Sequence, residues 1–179
     1  MVSPVKMSHY VLQTNRIAAM RDWYLAVLGG EVVHENEHLS FLAYDDEHHR
    51  IAFLNYGPLE ERTDQHVGLN HVAFGFETLD QLLGTYERLK GRGIAPYWCV
   101  NHGPTTSLYY RDPDGNGVEL EVENFAVLAD CKDYMRGPDF ARNTRGVEFE
   151  PDQMLKRLRA GVPERELLDR ARLETATAS

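Results

Sequence analysis

The 179-residue sequence is poor in cysteine and lacks long apolar runs. Its two cysteines, Cys99 and Cys131, form no Cys-x-x-Cys pair, so both are expected to be thiols in a reducing cytoplasm. The first seven residues contain no apolar core of signal-peptide length, and no later stretch approaches the length of a transmembrane helix. We therefore expect neither secretion nor membrane insertion.

Basic clusters are also missing. Nineteen lysines and arginines stand against 28 acidic residues, which gives a net charge of −9. A nucleic acid or an anionic membrane would need a basic face, so neither is an expected partner. The remaining composition, 42% hydrophobic and 26% charged residues, is typical of a globular protein. A length of 179 residues suits one ordinary domain or two very small ones.

The order of predicted elements repeats along residues 1–125. Each half reads as a strand, a helix and three further strands, which predicts an α+β fold of two βαβββ modules spanning about 5–56 and 69–123. An internal repeat of this kind is typical of two like units packed around a shared core or cavity. The predicted strands are 5–13, 31–35, 39–44, 49–56, 69–76, 94–100, 106–111 and 117–123, and the helices are 17–28 with Thr14 as N-cap and 79–89 with Thr78 as N-cap.

Residues 126–179 lie outside the repeat and are predicted to be a partly helical C-terminal extension. Residues 131–146 are polar and are expected to be irregular, whereas 151–158 and 163–173 have the apolar spacing of two short amphipathic helices. We expect these helices to pack on the domain or on a second subunit.

One predicted hairpin gathers residues with chemical potential. Asp112-Pro113-Asp114-Gly115 suits a type I turn followed by a left-handed residue, which makes 113–115 a three-residue loop. In that register Tyr109 lies opposite Glu119, with Cβ atoms roughly 5 Å apart. His102 directly precedes the hairpin. A histidine, a tyrosine and a carboxylate are therefore expected in one small unit.

The repeat also aligns candidate metal ligands. His9 and His71 both occupy the predicted middle of the first strand of their half, 62 residues apart, and Glu119 corresponds to Ala52 at an offset of 67. Two imidazoles and one carboxylate form the ligand set of many non-haem Fe(II) sites, which leave positions open for substrate and O₂. Alanine cannot bind a metal, and this argues against a closed site with four protein ligands.

At this point the sequence resembles the vicinal oxygen chelate superfamily, which includes glyoxalase I, bleomycin- and fosfomycin-resistance proteins and extradiol dioxygenases. The resemblance covers about residues 5–124 and implies an open, β-barrel-like metal cleft. Within the superfamily, one pattern resembles that of the extradiol ring-cleavage dioxygenases, here of one domain. The pattern is Val100-x-His102, five residues, then Leu108-Tyr109-x-x-Asp112-Pro113-x-Gly115-x-x-x-Glu119.

The resemblance implies a role for each matching residue. His9, His71 and Glu119 would bind Fe(II), or Mn(II) in some members. His49 matches the family's acid–base histidine. His102 and Tyr109 match the pair that hydrogen-bonds the catecholate and oxygen.

The expected function is therefore extradiol cleavage of a catechol-type aromatic diol with O₂, in the degradation of aromatic compounds. Two alternatives remain open at this point. One is a glyoxalase- or epimerase-like metal enzyme without O₂ chemistry, which usually has a carboxylate or amide where Ala52 stands. The other is a non-enzymatic drug-binding dimer resembling bleomycin-resistance proteins. A homo-oligomer, a dimer or larger, is expected from the resemblance.

Overall fold

The strands of the computed structural model form two mixed sheets, one of four strands and one of five. The structure describes residues 1–63, 65 and 67–177, so the last two residues of the predicted extension, Ala178 and Ser179, lie outside the described residues. The chain divides into two units. The first contains Met1–Gly68 and Asp112–Asn116, and the second contains Leu69–Arg111 and the chain from Gly117 onward.

The first unit carries the four-stranded sheet, whose strand order is β1-β4-β3-β2. Strands β1 and β4 are parallel, whereas β4–β3 and β3–β2 are antiparallel. The helix α1 buries Met20, Tyr24 and Val27 against β3 and β4 because these residues recur at helical spacing. The elements are β1 (Tyr10–Gln13), α1 (Ile17–Leu28), β2 (Glu31–Glu35), β3 (Leu39–Ala43) and β4 (Ile51–Leu54).

The start of α1 differs from the prediction. Its N-cap is Arg16, not Thr14. The Thr14 hydroxyl instead accepts a hydrogen bond of 2.9 Å from the Arg16 backbone N–H, so it stabilises the turn before the helix. The helix ends where predicted, at Gly29 in a left-handed conformation, whose N–H donates to the Leu25 carbonyl.

The second unit carries the five-stranded sheet, whose order is β5-β8-β7-β6-β9, with β9 formed by Val147–Glu148 of the C-terminal extension. Strand β5 runs parallel to β8, and the other pairs are antiparallel. Thr78 caps α2 as predicted, because its hydroxyl accepts a hydrogen bond of 3.2 Å from the Gln81 N–H. The elements shared with the repeat are β5 (His71–Phe76), α2 (Leu79–Lys90), β6 (Trp98–Asn101), β7 (Thr105–Arg111) and β8 (Gly117–Glu123).

The two parallel strand pairs have the same register. Val11 pairs with Ala52 in the first unit, and Ala73 pairs with Glu119 in the second. His9 and His71 each precede the first residue of these pairs by two, so the predicted equivalence of the halves is confirmed. Their predicted place in mid-strand is wrong, however, because β1 begins at Tyr10 and His71 is the first residue of β5.

The C-terminal extension is more ordered than predicted. Residues 131–146, expected to be irregular, contain most of α3 and all of α4. The sequence shows no apolar stripe for α3 because this helix buries little beyond Cys131. The predicted helix 163–173 is broken, since the Asp169 carboxylate accepts from the Ala171 N–H and starts a new helix. The elements are α3 (Leu128–Arg136), α4 (Pro138–Arg142), β9 (Val147–Glu148), α5 (Pro151–Arg159), α6 (Glu164–Leu167) and α7 (Arg170–Thr177).

Polar side-chain contacts attach α5 to α2. The Tyr86 hydroxyl lies 2.9 Å from the Asp152 carboxylate, and Arg159 donates two hydrogen bonds to Glu87.

Across the part of the chain that the structure describes, every helix is too short or too polar to cross a lipid bilayer.

The β7–β8 hairpin has the predicted register and loop. Tyr109 pairs with Glu119, and the Asp112 N–H donates to the Asn116 carbonyl, which leaves three residues in the loop. Gly115 has a φ of 79°, the left-handed conformation for which glycine is suited. The loop therefore closes as a type I turn followed by a left-handed glycine.

The side chain of Asp112 holds this turn together. Its Oδ1 atom accepts from the backbone N–H groups of Asp114 and Asn116, at 3.0 and 2.8 Å. Its Oδ2 atom accepts from the Asn116 side chain and from the Tyr24 hydroxyl of α1. Burial raises the pKa of Asp112 above its usual range, although all four hydrogen bonds favour the carboxylate.

We predict that Asp112→Ala lowers the free energy of unfolding by about 2–4 kcal/mol, because several buried donors lose a charged acceptor. Chemical denaturation followed by circular dichroism measures the change. Asp46→Ala serves as the control, since Asp46 is exposed in the corresponding loop of the first half, and we expect a change within about 0.5 kcal/mol. Equal effects of the two substitutions would contradict the role given to Asp112.

Candidate metal centre and its neighbours

Two of the three predicted ligands meet in the second unit. His71 at the start of β5 and Glu119 on β8 lie on neighbouring parallel strands, and their Nε2 and Oε2 atoms are 2.9 Å apart. Glu119 is 5% exposed. The other ring nitrogen of His71, Nδ1, lies 2.8 Å from the Asn70 side-chain oxygen, which can only accept a hydrogen bond. Asn70 therefore holds a proton on Nδ1, and Nε2, the nitrogen left to bind a metal in the neutral ring, faces Glu119.

This arrangement fits a shared cation. A bare imidazole nitrogen and a carboxylate oxygen at 2.9 Å repel each other unless a proton or a metal ion lies between them. Nitrogen and oxygen ligands about 2.1 Å from one divalent ion, at right angles to each other, lie about 3.0 Å apart. The observed separation of His71 and Glu119 therefore suits two adjacent ligands of one metal.

The third predicted ligand, His9, belongs to the first unit, just before β1. Among residues 1–63, 65 and 67–177, no three His, Cys, Asp or Glu side chains are gathered into a ready-made metal site. The structure thus brings together His71 and Glu119, and it places His9 beside other histidines.

His9 lies beside His49, the predicted acid–base residue, with ring centroids 4.5 Å apart. The His49 ring also stacks on Phe41 at 4.7 Å, and its Nδ1 atom is 2.6 Å from Nδ1 of His48. Burial, and then the positive charges that His9 and His48 can carry, lower the pKa of His49. His49 precedes β4 and is not part of it, so the alternation of that strand does not determine its direction.

The predicted pair His102 and Tyr109 is in hydrogen-bond contact in the second unit. The His102 Nε2 atom lies 3.0 Å from the Tyr109 hydroxyl, and Nδ1 lies 2.6 Å from the Arg145 carbonyl. A carbonyl only accepts, so Nδ1 carries the proton, and Nε2 of neutral His102 can accept from the Tyr109 hydroxyl, for which the Glu119 carboxylate is the second acceptor.

Electrostatics keep this pair in its neutral form. Burial lowers the pKa of His102, although the Arg145 carbonyl and the charge of Glu119 oppose the change. Burial and the neighbouring Glu119 carboxylate raise the pKa of Tyr109 above its usual range. At neutral pH the pair therefore consists of an imidazole and a protonated phenol.

An edge-to-face contact joins the two pairs. The rings of His71 and Tyr109 have centroids 5.4 Å apart and an interplanar angle of 88°. Glu119 lies directly across the hairpin from Tyr109. The second unit therefore assembles four of the six predicted site residues: His71, His102, Tyr109 and Glu119.

Three further residues of this site were not predicted. Asn70 orients His71, and its place next to that histidine in the sequence was the one feature that could have predicted this contact. Trp98 stacks on Tyr109 with centroids 4.9 Å apart, a contact that the pairing of β6 with β7 creates. Arg145 contributes a backbone carbonyl, which every residue type has, so its side chain carried no signal for this contact.

Comparison with known proteins shows which family this chain resembles. A sequence model of the Glyoxalase/Bleomycin resistance protein/Dioxygenase superfamily matches residues 6–120. Biphenyl-2,3-diol 1,2-dioxygenase 3 of Rhodococcus globerulus is 49% identical over 93% of this chain and 88% of its own length. Biphenyl-2,3-diol 1,2-dioxygenase 2 of the same organism is 47% identical over 91% of this chain and 86% of its own length.

A solved structure supports the fold alone. Lactoylglutathione lyase from Agrobacterium tumefaciens superposes with a TM-score of 0.55 and 20% identity, covering 66% of this chain and 94% of that one. The family match covers more than half of the chain, and the two curated relatives span about nine tenths of it. The protein therefore belongs to the Glyoxalase/Bleomycin resistance protein/Dioxygenase superfamily.

Proposed function

We propose that this protein is an extradiol ring-cleavage dioxygenase that opens a catechol-type aromatic diol with O₂. The observation that carries the proposal is the 49% identity, over nearly the whole chain, to an enzyme named for biphenyl-2,3-diol. The pairs His71–Glu119 and His102–Tyr109 support it, because they supply metal-binding and proton-handling groups in one unit. The proposed substrate is a diol of the biphenyl-2,3-diol class.

The proposed metal ligands are His9, His71 and Glu119, and the proposed ion is Fe(II), with Mn(II) as the second choice. Two imidazoles and one carboxylate suit such an ion and leave positions for the diol and O₂. Ala52, which occupies the register position equivalent to Glu119, offers no fourth ligand. When bound, the metal acts as a Lewis acid that lowers the pKa of a diol hydroxyl.

His49 is proposed to take the proton of the second diol hydroxyl. Its lowered pKa leaves the ring neutral, with a lone pair, at neutral pH. Nδ1 faces His48, so Nε2 is the atom available for this transfer. His49 would later return the proton as the ring opens.

His102 and Tyr109 are proposed to stabilise negative charge on the substrate and on oxygen. Because its pKa is raised, Tyr109 keeps its O–H and can donate a hydrogen bond. In the resting site, Nε2 of His102 and the Glu119 carboxylate are the two acceptors within reach of this O–H. The hydroxyl proton can therefore turn toward whichever neighbour carries more negative charge.

Two wider expectations stay predictions. Cys99 and Cys131 are both free thiols, which is consistent with a reducing cytoplasm. Assembly into a homo-oligomer rests on the family resemblance. Neither affects the chemistry proposed for the site.

Oxygen uptake tests the proposed reaction. Protein loaded anaerobically with Fe(II) should consume one O₂ per diol and form a yellow ring-opened product when given biphenyl-2,3-diol or simpler catechols. An oxygen electrode and visible spectra measure both quantities. Iron binding without uptake across the panel would favour a metal enzyme without O₂ chemistry, and absence of both would refute the proposal.

We predict that His49→Phe lowers turnover by about 10²- to 10⁴-fold, the usual contribution of a general acid–base group. The iron content should stay near that of the unmodified protein, because phenylalanine removes the proton-transfer group and leaves the proposed ligands. Steady-state oxygen uptake and metal analysis measure the two effects. His38→Phe, at an exposed histidine, is the control. Loss of iron from the His49 variant would count against a purely acid–base role.

We predict that Asn70→Ala weakens metal binding by about 10- to 100-fold, because the partner that orients a ligating imidazole is removed. Asn70→Asp keeps an oxygen acceptor for His71 Nδ1 and should retain most of the affinity. Competition with a chromophoric chelator gives the affinity of each variant. Equal affinity in the alanine variant and the unmodified protein would show that Asn70 does not orient a ligand.

A further inference from the structure

Four residues of the C-terminal extension run along the edge of the sheet that carries His102 and Tyr109. This stretch, named here the 145–148 segment, consists of Arg145, Gly146 and strand β9. β9 pairs with β6, where Val147 faces Asn101 and Glu148 faces Val100. The segment lies outside residues 6–120, which the family model matches.

The segment contacts His102 through its main chain. The Arg145 carbonyl lies 2.6 Å from Nδ1 of His102, so the ring must carry its proton on that nitrogen. In the other tautomer, two lone pairs would face each other at this distance. The same ring then presents its Nε2 lone pair to the Tyr109 hydroxyl.

The segment holds Tyr109 through Trp98. The Arg145 guanidinium lies 5.3 Å from the centroid of the Trp98 ring, and the Glu148 carboxylate accepts a hydrogen bond of 2.9 Å from the indole N–H. Trp98 stacks in turn on the Tyr109 ring at an interplanar angle of 29°. One short stretch of chain therefore contacts His102 directly and Tyr109 through Trp98.

The segment is itself locked in place. Asn143 binds both the N–H and the carbonyl of Gly146, at 2.9 and 3.0 Å. Gly146 has a φ of 100°, and a Cβ atom there would lie 2.3 Å from the Asn101 carbonyl oxygen. Only glycine lets the segment lie this close to β6.

A second part of the extension fixes the main chain of His102. Arg170, 8% exposed at the start of α7, donates hydrogen bonds of 3.1 Å to the His102 carbonyl and to the Tyr134 hydroxyl. The backbone and the ring of His102 are thus both held by residues that follow the repeat.

We propose that the 145–148 segment is a positioning element that holds His102 as the Nδ1–H tautomer, with Nε2 facing the Tyr109 hydroxyl. The mechanistic value of this alignment rests on the proposed function. The segment acts through His102 and Trp98, and no direct contact with substrate or metal is proposed for it.

Gly146→Ala tests the proposal, with Gly161→Ala as the matched control. Both glycines have a positive φ, but a Cβ atom at Gly161 meets nothing within 4 Å. Both variants should lose stability in thermal denaturation, Gly146→Ala more than Gly161→Ala because of its collision with β6, and only Gly146→Ala should displace the Arg145 carbonyl. We expect its kcat to fall by about 10- to 100-fold, as for a small misplacement of a reacting group, with KM within about threefold.

A second readout is independent of activity. Long-range ¹⁵N–¹H spectra of the full-length, chelator-treated protein report the tautomer of each histidine, and His102→Gln identifies the signal of His102. We expect the Nδ1–H form in the unmodified protein and in Gly161→Ala, and the Nε2–H form or a mixture in Gly146→Ala. An Nε2–H signal in the unmodified protein would overturn the proposal, as would an unchanged tautomer and kcat in Gly146→Ala.

Asn143→Ala is the second variant, in case Gly146→Ala fails to fold. It releases the turn that holds Gly146 without introducing a clash. It should change the tautomer and kcat in the same direction, and a normal value of both would overturn the proposal. The spectra need no substrate, so the two proposals can fail separately. If the unmodified protein consumes no O₂, the proposed function is refuted, and the tautomer result still decides the positioning role.

Discussion

The register of the β7–β8 hairpin is the constraint on which the site depends. It places Tyr109 across from Glu119, and the parallel pairing of β8 with β5 then brings Glu119 to His71. A slip of β8 by one residue would send Glu119 to the face of the sheet opposite Tyr109 and His71. The Asp112 carboxylate prevents such a slip, because its hydrogen bonds are satisfied in one turn geometry.

Much of this arrangement could be predicted from local patterns. The turn residues 112–115 specify the hairpin and its register, and the histidines at equivalent places reveal the repeat. Residues at strand ends were harder to place, because a strand boundary depends on neighbouring chain that the pattern does not show. His9 and His49 consequently lie just outside the strands that were expected to carry them.

The extension was predicted least well, for a physical reason. Helix α3 of the extension has few buried side chains. Its structure therefore depends on packing against the rest of the chain and not on an apolar stripe that the sequence would show. Its contribution to the site is partly main-chain, through the Arg145 carbonyl, and partly a buried arginine, Arg170. A pattern of side chains cannot reveal a contact made by a main-chain carbonyl. A single arginine in a polar stretch is also a weak signal for a buried contact.

The main-chain nature of the Arg145 contact has a consequence for protein engineering. A carbonyl belongs to every amino acid, so a substitution at position 145 keeps the acceptor for His102, although it removes the guanidinium that lies over Trp98. The next position has no such freedom, because a side chain at residue 146 would collide with β6. In a mutant library, smaller losses at position 145 than at position 146 would therefore mark a backbone contact that sequence identity alone conceals.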